Sequence, residues 1–170
     1  MKLEIETENL KITTFKPEMA ESVSRGSLDE NNKRFMPDEV FETVEIASEV
    51  ISDLIDCYDS EDGPFVFPIL LKNEEHIGHV EAVKIDEGWE IGYHISKEHC
   101  KKGYATEAVQ KFIPIIMNNL EIKEIFGICD AENLGSRAVL EKNGFNKIYD
   151  GMGPYHGKQC HICKYVYKAY

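Results

Sequence analysis

The stretch Trp89–Val109, WEIGYHISKEHCKKGYATEAV, changes its period halfway along. Residues 89–96, WEIGYHIS, alternate apolar with polar or small residues, which is the period of a strand. From Tyr104 the segment YATEAVQKFIPIIMNNL spaces its apolar residues as a helix does, with Pro114 expected to kink it because proline lacks the N–H for its helical bond. KEIFGICD (123–130) then returns to strand character. Strand, helix and strand within so short a span make a βαβ unit, so the two strands should run parallel. Ligands of such units bind at the carboxyl ends of the strands, where the helix begins.

The junction itself has anion-binding chemistry. The first turn of a helix leaves four backbone N–H groups without intrahelical acceptors, and the macrodipole adds partial positive charge there. Gly103 lets a ligand approach the backbone closely, and Lys101 and Lys102 bring charge from the side. The same residues also suit a solvated basic corner between strand and helix, and local physics alone leaves both readings open. Neither a GxxxxGK[ST] loop nor a GxGxxG fingerprint is present.

Outward from this unit, LKITTF (10–15) reads as a first strand ending at Lys16-Pro17, and PEMAESVSRGSLDE as a short helix fraying at Gly26. NNKRFMP reads as a loop with Arg34 and Phe35 at its tip. Acidic residues followed by Val40, Val44, Ala47, Ile51 and Leu54 at helical spacing predict an amphipathic helix over 39–57. Strands at 65–72 and 76–85 join 89–96 as a meander with short turns. NLGSRAVLEKN predicts a second helix closed by Gly144. FNKIYDGM and QCHICKYVYKA close the chain as two strands joined by a glycine-rich loop, DGMGPYHGKQ. The pattern is α/β, a mixed sheet with helices on its faces.

The 170 residues are enough for one domain over 1–170. No apolar run is long enough to span a bilayer, and the start lacks the apolar core of a signal peptide, so a cytoplasmic location is expected. Five cysteines without a signal peptide argue for reduced thiols. Cys160 and Cys163 form a lone CxxC around His161, but strand alternation would place them on opposite faces and no second pair exists. No metal site is expected there. The formal net charge of −12 argues against a nucleic-acid partner and is compatible with a cationic acceptor, though acidity for solubility explains it as well. No membrane partner is expected, and a monomer or homodimer is.

WEIGYHISKEHCKKGYATEAV followed by DAENLGSRAVLEKNGF (130–145) resembles the GNAT acyltransferases, most closely the branch of the ribosomal-protein N-terminal alanine acetyltransferases. In that branch a strand E-I-G-Y precedes a loop close to R-G-K-G-Y-A-T-E-A. A segment N-x-x-S-x-x-V-L-E-K-x-G-F follows about thirty residues on, matched here by Asn133, Ser136, Val139, Leu140, Glu141, Lys142, Gly144 and Phe145. The likeness extends to RFMPDEVFETVEIASEVI and so covers most of the chain. It implies a GNAT-like fold, a mostly antiparallel central sheet with one parallel βαβ splay flanked by helices.

The resemblance also implies a site for acetyl-coenzyme A. Pyrophosphate would meet the backbone N–H groups of Lys101, Lys102, Gly103, Tyr104, Ala105 and Thr106. The pantetheine arm would pair with backbone exposed where the strands splay, Ile95 included, with Asn133 near the thioester and Ser136 one turn further on. Two positions depart from the family: Cys100 replaces an arginine or glutamine, and Lys101 a glycine. The loss should weaken binding without abolishing it.

Acetyl transfer needs a neutral amine and a protonated leaving thiolate. Glu90, matching the family's E-I-G-Y glutamate, is the first candidate for the base, with a structural carboxylate as the alternative. Glu81, His79 and His94 are weaker candidates. The tyrosine that many GNAT enzymes use as acid is replaced by Leu140, and in the resembling branch a serine at the Ser136 position donates the proton instead. Tyr149 and Tyr155 remain open as acids. The acceptor cleft would be lined by the Arg34-Phe35 loop, the 39–57 helix and the DGMGPYHGKQ loop. A peptide α-amine, a small amine such as an antibiotic or polyamine, and a non-catalytic acyl-CoA-binding regulator are the readings left open.

Overall fold

The computed structural model describes residues 1–169. Eight strands form one sheet: β1 (Ile5–Glu6), β2 (Leu10–Ile12), β3 (Phe65–Leu71), β4 (His76–Ile85), β5 (Gly88–Ile95), β6 (Glu124–Asp130), β7 (Asn146–Tyr155) and β8 (Lys158–Lys168). Their order is β1-β2-β3-β4-β5-β6-β8-β7, and every neighbouring pair is antiparallel except β5 with β6. The helices are α1 (Ala20–Ser27), α2 (Glu30–Phe35), α3 (Val44–Cys57), α4 (Tyr104–Asn119) and α5 (Leu134–Lys142).

Helix α4 is the crossover between β5 and β6. It lays Ala108, Val109, Phe112, Ile113, Ile116 and Met117 against one face of the sheet, all of them buried with Phe67, Val80 and Ile91 in the main core. Each large side chain of that kind contributes about 1.5–3 kcal/mol on burial. The helix continues through Pro114, whose missing N–H leaves one carbonyl without its helical donor. Glu107 ties the helix to the β1–β2 turn, accepting from the Thr7 hydroxyl at 2.6 Å and the Asn9 amide N–H at 2.9 Å. On the other face a smaller core joins Phe15, Ala20, Ala47, Ile51 and Val66 under α1 and α3.

Four expectations are corrected. The first strand ends at Ile12, and past it the Phe15 N–H goes to the Tyr58 hydroxyl instead of to a neighbouring strand. NNKRFMP is mostly helical: Asp29 caps α2 by accepting from the Asn32 N–H at 2.8 Å, which places Arg34 and Phe35 in its last turn. The long helix starts at Val44, not 39, since Thr43 is its cap and Pro37–Glu39 forms a separate 3₁₀ turn. DGMGPYHGKQ is no loop. Strands β7 and β8 pair through most of it, with only His156-Gly157 left to turn.

Candidate active site

Strands β5 and β6 share a single paired position, Glu90 with Phe126. Beyond it β5 runs on to Ile95 and β6 to Asp130 without further pairing, so the sheet opens into a V at their carboxyl ends. The loop before α4 stands at one lip. The segment 97–99 makes a 3₁₀ turn, Lys101 takes a left-handed conformation (φ 63°), and Gly103 caps α4 at φ 88°. The first backbone bond at this end runs from Glu107 N–H to the Gly103 carbonyl, and no side chain caps the end. The N–H groups of Tyr104, Ala105 and Thr106 therefore lack intrahelical acceptors. A Cβ on Gly103 would meet no protein atom within 4 Å, so the space in front of it is free for a ligand. This is a cradle that a pyrophosphate fits.

The two departures from the family pattern acquire a physical meaning here. The Cys100 thiol donates to the Ile95 carbonyl at 3.2 Å and packs against the main core, fastening the loop to β5. Lys101 holds a backbone angle that glycine adopts freely and that costs other residues about 1–2 kcal/mol.

At the other lip Asn133 caps α5, its Oδ1 accepting from the Ser136 N–H at 3.1 Å. Tyr93, on β5, reaches across the V: its hydroxyl lies 2.9 Å from both the Ser136 carbonyl and Ser136 Oγ. Burial holds the Tyr93 phenol protonated, far above its ordinary range. Sequence reading passed over Tyr93, because its role depends on a partner 43 residues away. Its place in E-I-G-Y was the only signal available.

The floor of the opening is a large cleft of about 1450 Å³ on the α3 face of the sheet. Glu90 lines it, and burial, then the Glu81 charge, push its carboxyl up to about 7. Glu81 lies one cross-strand step away, opposite Gly92, and is likewise pushed up to about 7 by burial and by Glu39. His79 and His94 pair across β4 and β5. Burial opposes charge on His79, but Glu39, 3.2 Å away, outweighs it and raises the imidazole. His94, 3.5 Å from Asp29, is lowered to about 4 by burial and by His79. Tyr155 also faces the cleft and hydrogen-bonds the Ile128 carbonyl at 3.4 Å; burial and the Glu90 charge raise its phenol. Tyr149 points away, exposed on the edge strand and donating to the Met152 carbonyl, so it is no part of the site. Leu140 is buried in the core beneath α5.

Two contacts cross the cleft's rim. Arg34, at the end of α2, pairs with Glu132 before α5, and Asp38 Oδ2 lies 2.7 Å from His156 Nδ1 in the β7–β8 turn. Together they tie the α2 segment and the turn after it to the β6–α5 and β7–β8 turns.

An open sheet with one parallel splay and a bare, glycine-capped helix end above it defines an acyltransferase fold. The model of the acetyltransferase (GNAT) domain matches residues 9–146, and the chain belongs to that family of N-acetyltransferases. It is 28% identical over 148 residues to the uncharacterized N-acetyltransferase YnaD of Bacillus subtilis (strain 168), covering 85% of this chain and 84% of that protein. Its fold is similar to a GNAT-family acetyltransferase from Bacillus anthracis, with TM-score 0.83 and 24% identity over 98% of both chains. It is also similar to RimL, a ribosomal L7/L12 alpha-N-protein acetyltransferase solved with coenzyme A, with TM-score 0.81 and 17% identity over 98% of both chains.

Proposed function

We propose that residues 1–170 act as one transferase domain that moves the acetyl group of acetyl-coenzyme A to a primary amine. Attack on the thioester is direct, and the preferred acceptor is a protein N-terminal α-amine. Acetyl-coenzyme A supplies a thioester carbonyl open to nucleophiles, and the residues around the V do the rest. The free N–H groups of residues 104–106, with Lys101 and Lys102 alongside, neutralise pyrophosphate. Glu90 takes the proton from the incoming ammonium, since a carboxyl titrating near 7 is well matched to an amine with a pKa of about 8.

Ser136 supplies the proton to the departing thiolate and takes one back from the nitrogen of the tetrahedral intermediate, so the hydroxyl ends unchanged. Tyr93 has one hydroxyl proton and two partners. When it donates to Ser136 Oγ, the serine proton is left free to point into the V; when it donates to the carbonyl, its oxygen can accept that proton instead. The observation that carries the reading is that Glu90 and the Tyr93–Ser136 pair line one cleft at the opening between β5 and β6.

The acidic lining, Glu39 and Glu81 with Asp38 at the rim, gives independent support to a small cationic amine as an alternative acceptor. A thiol-release assay with acetyl-coenzyme A and a panel of peptides and small amines separates the readings. Turnover on Ser- or Ala-starting peptides alone supports the α-amine, and turnover on diamines alone supports the small acceptor. Stabilisation by coenzyme A with no turnover on any amine would leave a binding protein and overturn the enzyme reading.

A further inference from the structure

Glu39, His79 and Glu81 each offer one ligand atom, and these atoms all lie within 4.8 Å of one another. His79 and Glu81 are two positions apart on β4, so both leave the same face of the sheet. Glu39 comes from a different element, the Pro37–Glu39 turn, which is held in place by Asn32: its buried Nδ2 donates to the Glu39 carbonyl at 2.9 Å. Room for Glu81 is made by its cross-strand partner Gly92, where a Cβ would lie 2.2 Å from Glu81 Oε1.

The contacts within the group point beyond an ion pair. His79 Nε2 sits 3.2 Å from Glu39 Oε2, yet it is shut off from solvent and has no hydrogen-bond partner. Among the described residues no lysine or arginine pairs with either carboxylate, so two half-buried acids face each other with one imidazole between them. A metal ion at their centre would take the place of the proton that Glu39 and Glu81 otherwise hold on His79.

We propose that Glu39, His79 and Glu81 form a binding site for a divalent transition-metal ion of the zinc class. One imidazole and two carboxylates are donors suited to such an ion, with bonds of about 2.0–2.2 Å. Ligand atoms around a tetrahedral ion at those bond lengths are roughly 3.3–3.6 Å apart. The His79–Glu39 separation is already at that scale, and small rotations of the Glu81 side chain complete the set. Three protein ligands leave a coordination position open toward the cleft. An ion there fastens the Pro37–Glu39 turn to β4 and occupies the carboxylates that otherwise face an acceptor's ammonium group. His94, across from His79, stays with Asp29 and lies outside the ligand set. Metal binding at this site stands or falls independently of the acetyl-transfer reading.

The test is titration of the metal-stripped full chain with cobalt(II) chloride, read by visible d–d absorption and by calorimetry, with zinc(II) as competitor. One ion per chain is expected, displaced by zinc. Affinity should fall at least about tenfold in Glu39→Gln and in His79→Ala, with the far-ultraviolet dichroism unchanged, since losing a direct ligand costs no less than losing its supporting partner. Glu39→Gln keeps the size and shape of the side chain and lies in a turn outside the sheet, which keeps the test clear of folding defects. Cys160→Ser should bind as the unaltered chain does. Absence of stoichiometric binding, undiminished affinity in both ligand variants, or loss of binding in Cys160→Ser would each overturn the proposal.

Discussion

Replacing Glu90 by glutamine separates catalysis from folding, because the two respond in opposite directions. Burial and the Glu81 charge push the Glu90 carboxyl from an ordinary 4.5 up to about 7. The folded chain therefore holds this proton more tightly than the unfolded one, and stability is lost as pH rises from 4.5 through 7. A shift of about 2.5 units at about 1.36 kcal/mol per unit sets a ceiling of roughly 3 kcal/mol at pH 8, shared with the interacting Glu81. Glu90→Gln cannot ionise, so at pH 8 its unfolding free energy should rise by about 1–3 kcal/mol, and at pH 4 it should match the parent chain.

Turnover should move the other way. Loss of a general base costs about 10²–10⁴-fold, or roughly 3–5 kcal/mol of barrier. For the parent chain kcat/KM should climb through a limb near 7 and again near the acceptor's own pKa. Glu90→Gln should lose the first limb and keep its affinity for coenzyme A. Thiol release across pH 5.5–9 with EDTA present (to keep the neighbouring Glu39–His79–Glu81 group free of metal), beside chemical unfolding at pH 4 and pH 8, measures both quantities. A rate within about threefold of the parent, or a surviving limb near 7, would refute Glu90 as the base. A destabilised variant at pH 8 would refute the account of why its carboxyl is raised.

Three further outcomes follow from the same geometry. Gly103→Val places a β-branched residue at φ 88° in front of the bare helix end, and coenzyme A affinity measured by calorimetry should drop about tenfold or more; unchanged affinity would remove the loop from the pyrophosphate site. Tyr93→Phe keeps the ring and deletes the bond to Ser136, so kcat should fall about tenfold with KM little changed, and the loss should match that of Ser136→Ala rather than add to it. His76 is lowered to about 4 by burial, so the unfolded chain takes up its proton first as pH falls through 6.5. The chain should lose up to roughly 3 kcal/mol between pH 6.5 and 4, and His76→Gln should flatten that slope in unfolding curves.

The legible parts of this molecule were those whose cause is local. The period change across Trp89–Val109 announced the β5–α4 junction, and Gly144 at φ 81° closes α5 where the sequence placed a cap. Alternation and short turns fixed the β3–β4–β5 meander, since hairpin register depends on neighbours a few positions apart. The six residues of α2 were missed because they span under two turns, too few to show a period; the Asp29 cap was the only local mark. The glycines of DGMGPYHGKQ suggested a loop, but pairing with β8 overrides that weak preference.

Sequence by itself determined the β5–α4–β6 unit, its bare helix end and the β3–β4–β5 meander, because spacing acts over a few positions, while Glu90 and Ser136 became candidates through the family resemblance. The tertiary structure decided the rest. Only folding brings Glu39 to His79 and Glu81, stretches Tyr93 to Ser136, sends Tyr149 outside, and carries Arg34 to Glu132 across 98 residues. It also decided the protonation of the cleft. A carboxyl's pKa depends on the water and charge around it, and at Glu90 both are set by strands and turns that meet only in the folded chain.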